Sequence, residues 1–152
     1  MRDLSLHILD IAENSIRAGA KRIEISLAEN LASDLLSLEI RDDGAGMDEA
    51  TRRSAARPFF TSKPNRRIGL GVALLEQATQ EAEGRLEIAS EPGGGTRITA
   101  TFRFSHPDRK PTGNIAASLE ALVAGNPGVD FRYERRSGKD LDVFDTREVG
   151  CR

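Results

Sequence analysis

The chain has 152 residues, enough for one domain with a sizeable core, and its Lys+Arg total of 22 against Asp+Glu 24 leaves a net charge of -2. That balance supplies no basic field for nucleic acid, no apolar run reaches membrane-spanning length, and the N-terminus enters an amphipathic pattern directly instead of a signal peptide. Cys151 is the only cysteine, so no internal disulfide forms, and no Cys/His cluster has zinc spacing. The simplest expectation is a cytoplasmic protein with no nucleic-acid partner and no membrane insertion.

Leu4 to Ala18 predicts a helix, with Ile8, Leu9, Ile11, Ala12 and Ile16 on one side and Gly19 as its stop. Arg22 to Leu27 alternates as a half-buried strand, and Leu36 to Ile40 is its hairpin partner across Asn30-Leu31-Ala32-Ser33. Asp48 to Ala56 predicts a short helix whose first turn is acidic, as the helix dipole favours. Pro58 to Arg67 is basic and lacks periodicity, so it reads as a loop able to move, and Gly69 to Ala82 as a further helix. Arg85 to Ser90 and Arg97 to Phe104 make a second hairpin around Glu91-Pro92-Gly93-Gly94-Gly95. Residues 1–105 thus read as the main domain and 106–113 as a linker. Residues 114–152 read as a small appendage, with a helix over Ile115 to Ala124 and a hairpin of Phe131 to Arg135 with Leu141 to Phe144. The order of elements predicts an α/β (α+β) two-layer sandwich: a mixed, mostly antiparallel sheet with helices on one face.

Asp42-Asp43-Gly44-Ala45-Gly46 closes the second strand, so the chain leaves a sheet end in a tight turn. Glycine there lets backbone approach a flat ligand, and a carboxylate at the base of such a pocket accepts a hydrogen bond from an exocyclic amine. Adenine carries that amine, whereas guanine presents a carbonyl. On the first helix His7, Asp10, Asn14 and Arg17 fall within an arc of about 80° at about 100° per residue. For any one of them a solvated polar face is the plain reading. Asn is unfavourable inside a helix without a partner, however, and its carbonyl oxygen suits Mg²⁺. Asp10 could polarise a water and Arg17 could meet phosphate oxygens.

Asn14, the Asp42 turn and Gly69-Leu70-Gly71, in this order, resemble the GHKL (gyrase, Hsp90, histidine kinase, MutL) ATPase superfamily and its Bergerat ATP-binding fold. Glu13-Asn14-Ser15-Ile16-Arg17-Ala18-Gly19-Ala20 is similar to the MutL form of the N box, and Asp42 to Met47 to the G1 box. Pro58-Phe59-Phe60-Thr61-Ser62-Lys63 resembles the lid motif of sensor kinases, Gly69 to Leu74 the G2 box, and Gly94-Gly95-Thr96 the last motif. The match spans residues 4 to 104.

The resemblance implies ATP and Mg²⁺ as cofactors. Asn14 would ligate the metal and Asp42 bind the adenine amine, with Gly44 and Gly46 shaping that side of the pocket. Gly69, Leu70 and Gly71 would open a helix whose N–H groups face the phosphates, and Thr96 would sit beside Asp42 and the adenine. The lid from Pro58 to Arg67 would bring Lys63, Arg66 or Arg67 to the γ-phosphate, although it is shorter than in many relatives. Asp10 stands where hydrolytic members carry Glu, one methylene longer, so it is the candidate catalytic base; Glu13 points about 100° away on the helix. Arg17 stands where sensor kinases carry a basic residue.

Only six residues precede His7, and His106 sits beside a proline, so a phosphoacceptor helix of the sensor-kinase type is not expected. The expectation is a stand-alone ATP-binding domain with weak ATP hydrolysis, acting as an accessory or regulatory subunit of a larger bacterial assembly. Its opening resembles small ATP-binding proteins encoded beside hydrogenase or NADH-oxidising subunits. A protein partner, or a homodimer, would carry the output. An anti-sigma-type protein serine kinase and a non-catalytic ATP-binding scaffold are the alternatives that the residues leave open.

Overall fold

A computed structural model describes residues 4–46, 66–105 and 114–146. The elements in order are α1 (Leu4–Arg17), β1 (Arg22–Asn30), β2 (Leu35–Asp42), α2 (Arg66–Glu81), β3 (Arg85–Ser90), β4 (Thr96–Arg103), α3 (Ile115–Gly125), β5 (Asp130–Ser137) and β6 (Asp140–Asp145). The short helix expected over Asp48 to Ala56, most of the expected lid and the 106–113 linker lie outside the described residues.

The apolar positions of α1 recur every three or four residues, so Leu4, Ile8, Ile11 and Ala12 turn inward and are buried. The helix ends in a Schellman motif. Ala20 N–H donates to Ser15 O at 3.1 Å and Gly19 N–H to Ile16 O at 3.0 Å, satisfying carbonyls that the last turn leaves open. β1 and β2 then pair antiparallel with Ile25 opposite Ile40 and Leu27 opposite Leu38. Alternation buries every second side chain on the helix side of the sheet and leaves the polar residues between them on the other face.

The six strands run β3-β4-β2-β1-β5-β6. Four neighbouring pairs are antiparallel, and β5 alone lies parallel to its neighbour, β1. Helices α1, α2 and α3 cover one face, α1 touching both others. The two-layer, mixed and mostly antiparallel architecture expected from the element order is the one observed.

The core is a single cluster. It joins α1, the inward residues of β1, β2 and β4, the α2 residues Val72, Leu75 and Ala78, and also Ile115, Leu119 and Leu122 of α3 with Phe131 of β5. The C-terminal helix and hairpin form where the periodicity places them, and they extend the main sheet at the β1 edge. An ion-pair network on the outer face ties the hairpin to β1: Arg22 of β1 reaches across β5 to Asp145 of β6 at 2.9 Å, and Arg132 of β5 approaches the same carboxylate at 3.9 Å. The Arg22 guanidinium is held above its ordinary pKa by the hydrogen bond to Asp145 and also by Glu24, against the opposing effect of burial.

Two boundaries differ from the sequence reading by three residues, and the others by two at most. β1 runs on to Asn30, because Ala28 and Glu29 continue the ladder opposite Ser37 and Leu36. Helix α2 begins at Arg66 rather than Gly69, so Arg66 and Arg67 belong to its first turn; arginine is a good helix former, whatever its charge suggests about a loop.

Candidate functional site

Helix α1 presents the polar line expected of it, but not as a solvated face. His7 is 2% exposed and Asn14 8% exposed, while Asp10 is half-buried and Glu13 and Arg17 are exposed. Burying an asparagine amide is costly unless it is hydrogen-bonded. Here Asn14 Oδ1 accepts from Arg17 Nη1 at 3.0 Å, so the oxygen assigned to Mg²⁺ already faces a cation from the next turn. The two residues are three apart, which sets them one above the other on the helix.

Asp42 stands at the last position of β2, on the side of the sheet that carries Leu38 and Ile40 toward the helices. Its Oδ2 accepts from Ser15 Oγ at 2.6 Å and its Oδ1 from the Gly44 N–H at 2.8 Å. Ser15 is 4% exposed, whereas Asp42 is half-buried. An ionised carboxylate offers about four lone-pair sites, so both oxygens keep acceptor capacity toward the open side. Directly across the ladder from Asp42 is Thr96 of β4. Its Oγ1 lies 2.8 Å from Ser90 Oγ, and Ser90 Oγ donates to Gly95 O at 3.0 Å. A serine has one hydroxyl proton. With that proton on Gly95 O, Thr96 donates to Ser90 and keeps its own lone pairs as acceptors next to Asp42.

The glycine-rich turn after Asp42 is clamped from two sides. Ala45 N–H donates to Ala18 O at the end of α1 at 2.9 Å, and Ala45 O accepts from Gly93 N–H in the β3–β4 turn at 2.6 Å. Gly46 has φ +73 and a Cβ there would strike Glu91 O; Gly95 has φ +78 and a Cβ there would strike Asp42 O. Both glycines are needed here because two backbone turns meet. Asp43 secures the same corner, its Oδ1 accepting from the N–H groups of Lys21 and Arg22 at 2.7 and 3.0 Å. An open cleft of about 700 Å³ lies at these strand ends, lined by Asp42, Asp43, Ser90, Glu91, Gly95 and Thr96 and reaching Arg41 and Arg97 on the outer face. Its size is within the range of small-molecule sites.

The structure therefore brings Asp42, Gly44, Gly46 and Thr96 together at one corner and Asp10, Asn14 and Arg17 onto α1, joined to that corner through Ser15. Gly69, Leu70 and Gly71 lie within α2, which packs on α1. Because that helix opens at Arg66, the N–H groups without an intrahelical partner are those of Arg66 to Gly69. Lys63 lies outside the described residues. Among the described residues no three His, Cys, Asp or Glu side chains converge as a metal site. A lone oxygen such as Asn14 Oδ1 still suits Mg²⁺, which keeps waters and takes phosphate oxygens.

Sequence reasoning passed over Ser15 and Ser90. Ser15 had a signal, a serine inside a helix at a position four after Ile11, where only a partner justifies it. Ser90 had none, because its partners are set by strand register.

A family model described as "Histidine kinase-, DNA gyrase B-, and HSP90-like ATPase" matches residues 2–106. Among curated proteins, the chain is similar to a putative sensor protein of Shewanella frigidimarina (strain NCIMB 400), 30% identical over 103 residues, covering 66% of this chain and 16% of that one. It is also similar to the sensor protein kinase FleS of Pseudomonas aeruginosa, 35% identical over 92 residues, covering 60% of this chain and 23% of that one. The chain thus spans less than a quarter of the length of either relative. Among solved structures, the N-terminal domain of a DNA repair protein aligns with TM-score 0.66 at 16% identity, over 96% of this chain and 53% of that one. The Aquifex aeolicus MutL ATPase domain complexed with ADP aligns with TM-score 0.57 at 15% identity, over 95% and 63%. At those identities the structural likeness concerns the fold.

Proposed function

We propose a Mg-ATP-binding role for this chain, which belongs to the histidine kinase-, DNA gyrase B- and HSP90-like ATPase family. The observation that carries the reading is the half-buried Asp42 carboxylate, fixed by Ser15 and Gly44 with Thr96 across the ladder. Two acceptors side by side at the edge of an open cleft select a ring that presents an amine. Adenine does so; guanine sets a carbonyl oxygen against the same lone pairs and leaves them unpaired, which is costly.

With the base in that corner, the polar line of α1 serves the phosphates. Asn14 would hold Mg²⁺ through Oδ1, and the ion, when bound, neutralises phosphate charge. Arg17 would exchange its bond to Asn14 for phosphate oxygens, a charge-assisted and stronger contact. The first-turn N–H groups of α2 supply further donors for an anion. Asp10, one turn before Asn14 and half-buried, is the residue to hold and deprotonate a water, giving weak ATP hydrolysis. The bound state would be read by a protein partner, with the chain as a nucleotide-dependent accessory or regulatory subunit of a bacterial assembly.

One experiment tests the adenine assignment. Asp42→Asn can turn its oxygen to Gly44 N–H and its NH₂ to Ser15 Oγ, so the fold is kept while the acceptor toward the base is lost. The loss of one charged hydrogen bond, about 1.5–3 kcal/mol, weakens ATP about 10- to 150-fold by calorimetry. Unchanged ATP affinity in a variant that melts like the parent would refute it. A second reading, phosphoryl transfer to protein, is favoured by the similarity to a sensor protein kinase. Following free phosphate and protein-bound phosphate separately after addition of Mg-ATP distinguishes the two.

A further inference from the structure

The two edges of the sheet are built differently. At the β3 edge the outward residues Arg85 and Glu87 are 78% and 65% exposed and bridge each other at 3.9 Å, a charged rim that discourages strand addition. At the other edge, β6 exposes Leu141 (46%), Val143 (42%) and Phe144 (38%), half of the large exposed apolar side chains among the described residues. No described strand pairs with its free side.

The charges of β6 are as one-sided as its apolar residues. On the face toward the helices, register places Asp140 and Asp142 in line with Phe144. Both carboxylates are exposed, and neither has an ion-pair partner among the described residues. The residue opposite Asp142 is Arg135, whose guanidinium is turned to Glu29 at 3.8 Å. Leu141 and Val143 point to the other face, opposite Arg136 and Glu134.

We propose that β6 is a strand-addition site for an extended segment of a partner protein in which basic residues alternate with apolar ones. Backbone hydrogen bonds to the free edge would supply affinity, lysine or arginine opposite Asp140 and Asp142 would fix register, and the apolar residues between them would cover Leu141 and Val143. A second copy of this chain fits poorly. Antiparallel self-pairing centred on Asp142, which matches Leu141 with Val143, sets Asp142 against Asp142. Centred on Val143, it sets Leu141 against Asp145 and Phe144 against Asp142. The surface is separated from the nucleotide corner by β1 and β5, so the proposal does not rest on nucleotide binding, and its failure leaves that reading intact.

The test is calorimetric titration of the full chain with a short peptide of alternating lysine and valine, beside a glutamate–valine control. The lysine peptide binds saturably and more weakly as salt rises, and shifts β6 backbone amide resonances; the control does not bind. Asp140→Asn with Asp142→Asn weakens it about tenfold at low salt, with the parent's melting profile. Val143→Lys also weakens it. Absence of saturable binding, equal affinity for the double variant, or shifts confined to another part of the sheet would overturn the proposal. So would a dimer in sedimentation that Val143→Lys dissociates, because it would assign the edge to a second copy.

Discussion

Ser15→Ala isolates the contact that ties helix α1 to the Asp42 corner. The substitution removes one buried hydroxyl and adds no atom, and alanine favours the helix slightly more than serine does. What is lost is the 2.6 Å bond to Asp42 Oδ2, in the short range of hydroxyl–carboxylate pairs. Such bonds are worth about 1.5–3 kcal/mol, and because Asp42 is half-buried, water replaces part of the donor, which puts the cost near about 1.5 kcal/mol. For a chain of this size that lowers Tm by about 3–6 °C. The Asp42 side chain also regains rotamer freedom that nucleotide must remove again, about 1 kcal/mol, so ATP affinity falls about fivefold. Scanning calorimetry and ATP titration of the same preparation read both effects. A Tm within about 1 °C of the parent, together with unchanged ATP affinity, would refute the idea that Ser15 holds Asp42 in place.

Asp145→Ala should cost about 3 kcal/mol by leaving Arg22 with only Glu24, and should lower Tm by about 6–12 °C; a shift within about 1 °C would show that the network does not secure β6. Tyr133, the only tyrosine, has its phenol pKa raised above 10.0, chiefly by burial and in spite of Arg135. Its contribution to stability is therefore complete below pH 10.0 and declines as pH rises from there through the folded-state value, since the unfolded chain ionises first. Phenolate absorbance of the folded protein should rise later than that of the unfolded chain, and coincident curves would contradict the burial. His7 is 2% exposed on α1, so the chain should not retain acid-labile phosphate on it from labelled ATP; label lost in His7→Gln would overturn that.

Local signals made much of this fold legible. Alternation at Ile23, Ile25 and Leu27 and at Leu36, Leu38 and Ile40 marked the first hairpin, because the residues that bury are the ones that alternate. The C-terminal hairpin was equally visible, but its parallel seat on β1 was not: strands far apart in sequence that pair in parallel share no turn to announce them. Arg66 and Arg67 read as the end of a loop because the stretch lacks periodicity and is basic, while their helix propensity was not weighed. At the site, Asp42 and Asn14 stood out by residue type and spacing. Their partners behaved differently. The Arg17 contact is local, whereas Ser15 meets Asp42 from 27 residues away, a distance that only the packing of α1 on the sheet closes. Gly46 was expected to shape the pocket, and its close contact, like that of Gly95, is backbone against backbone.

Titration of the isotopically labelled chain with Mg-ATP, followed by backbone amide shifts, tests the central claim most directly. Saturable shifts should centre on Asn14, Gly44, Gly46 and Thr96, be far weaker with Mg-GTP, and leave β6 unmoved. The absence of saturable shifts, equal response to both nucleotides, or a response confined to residues away from the α1–β2–β4 corner would contradict it.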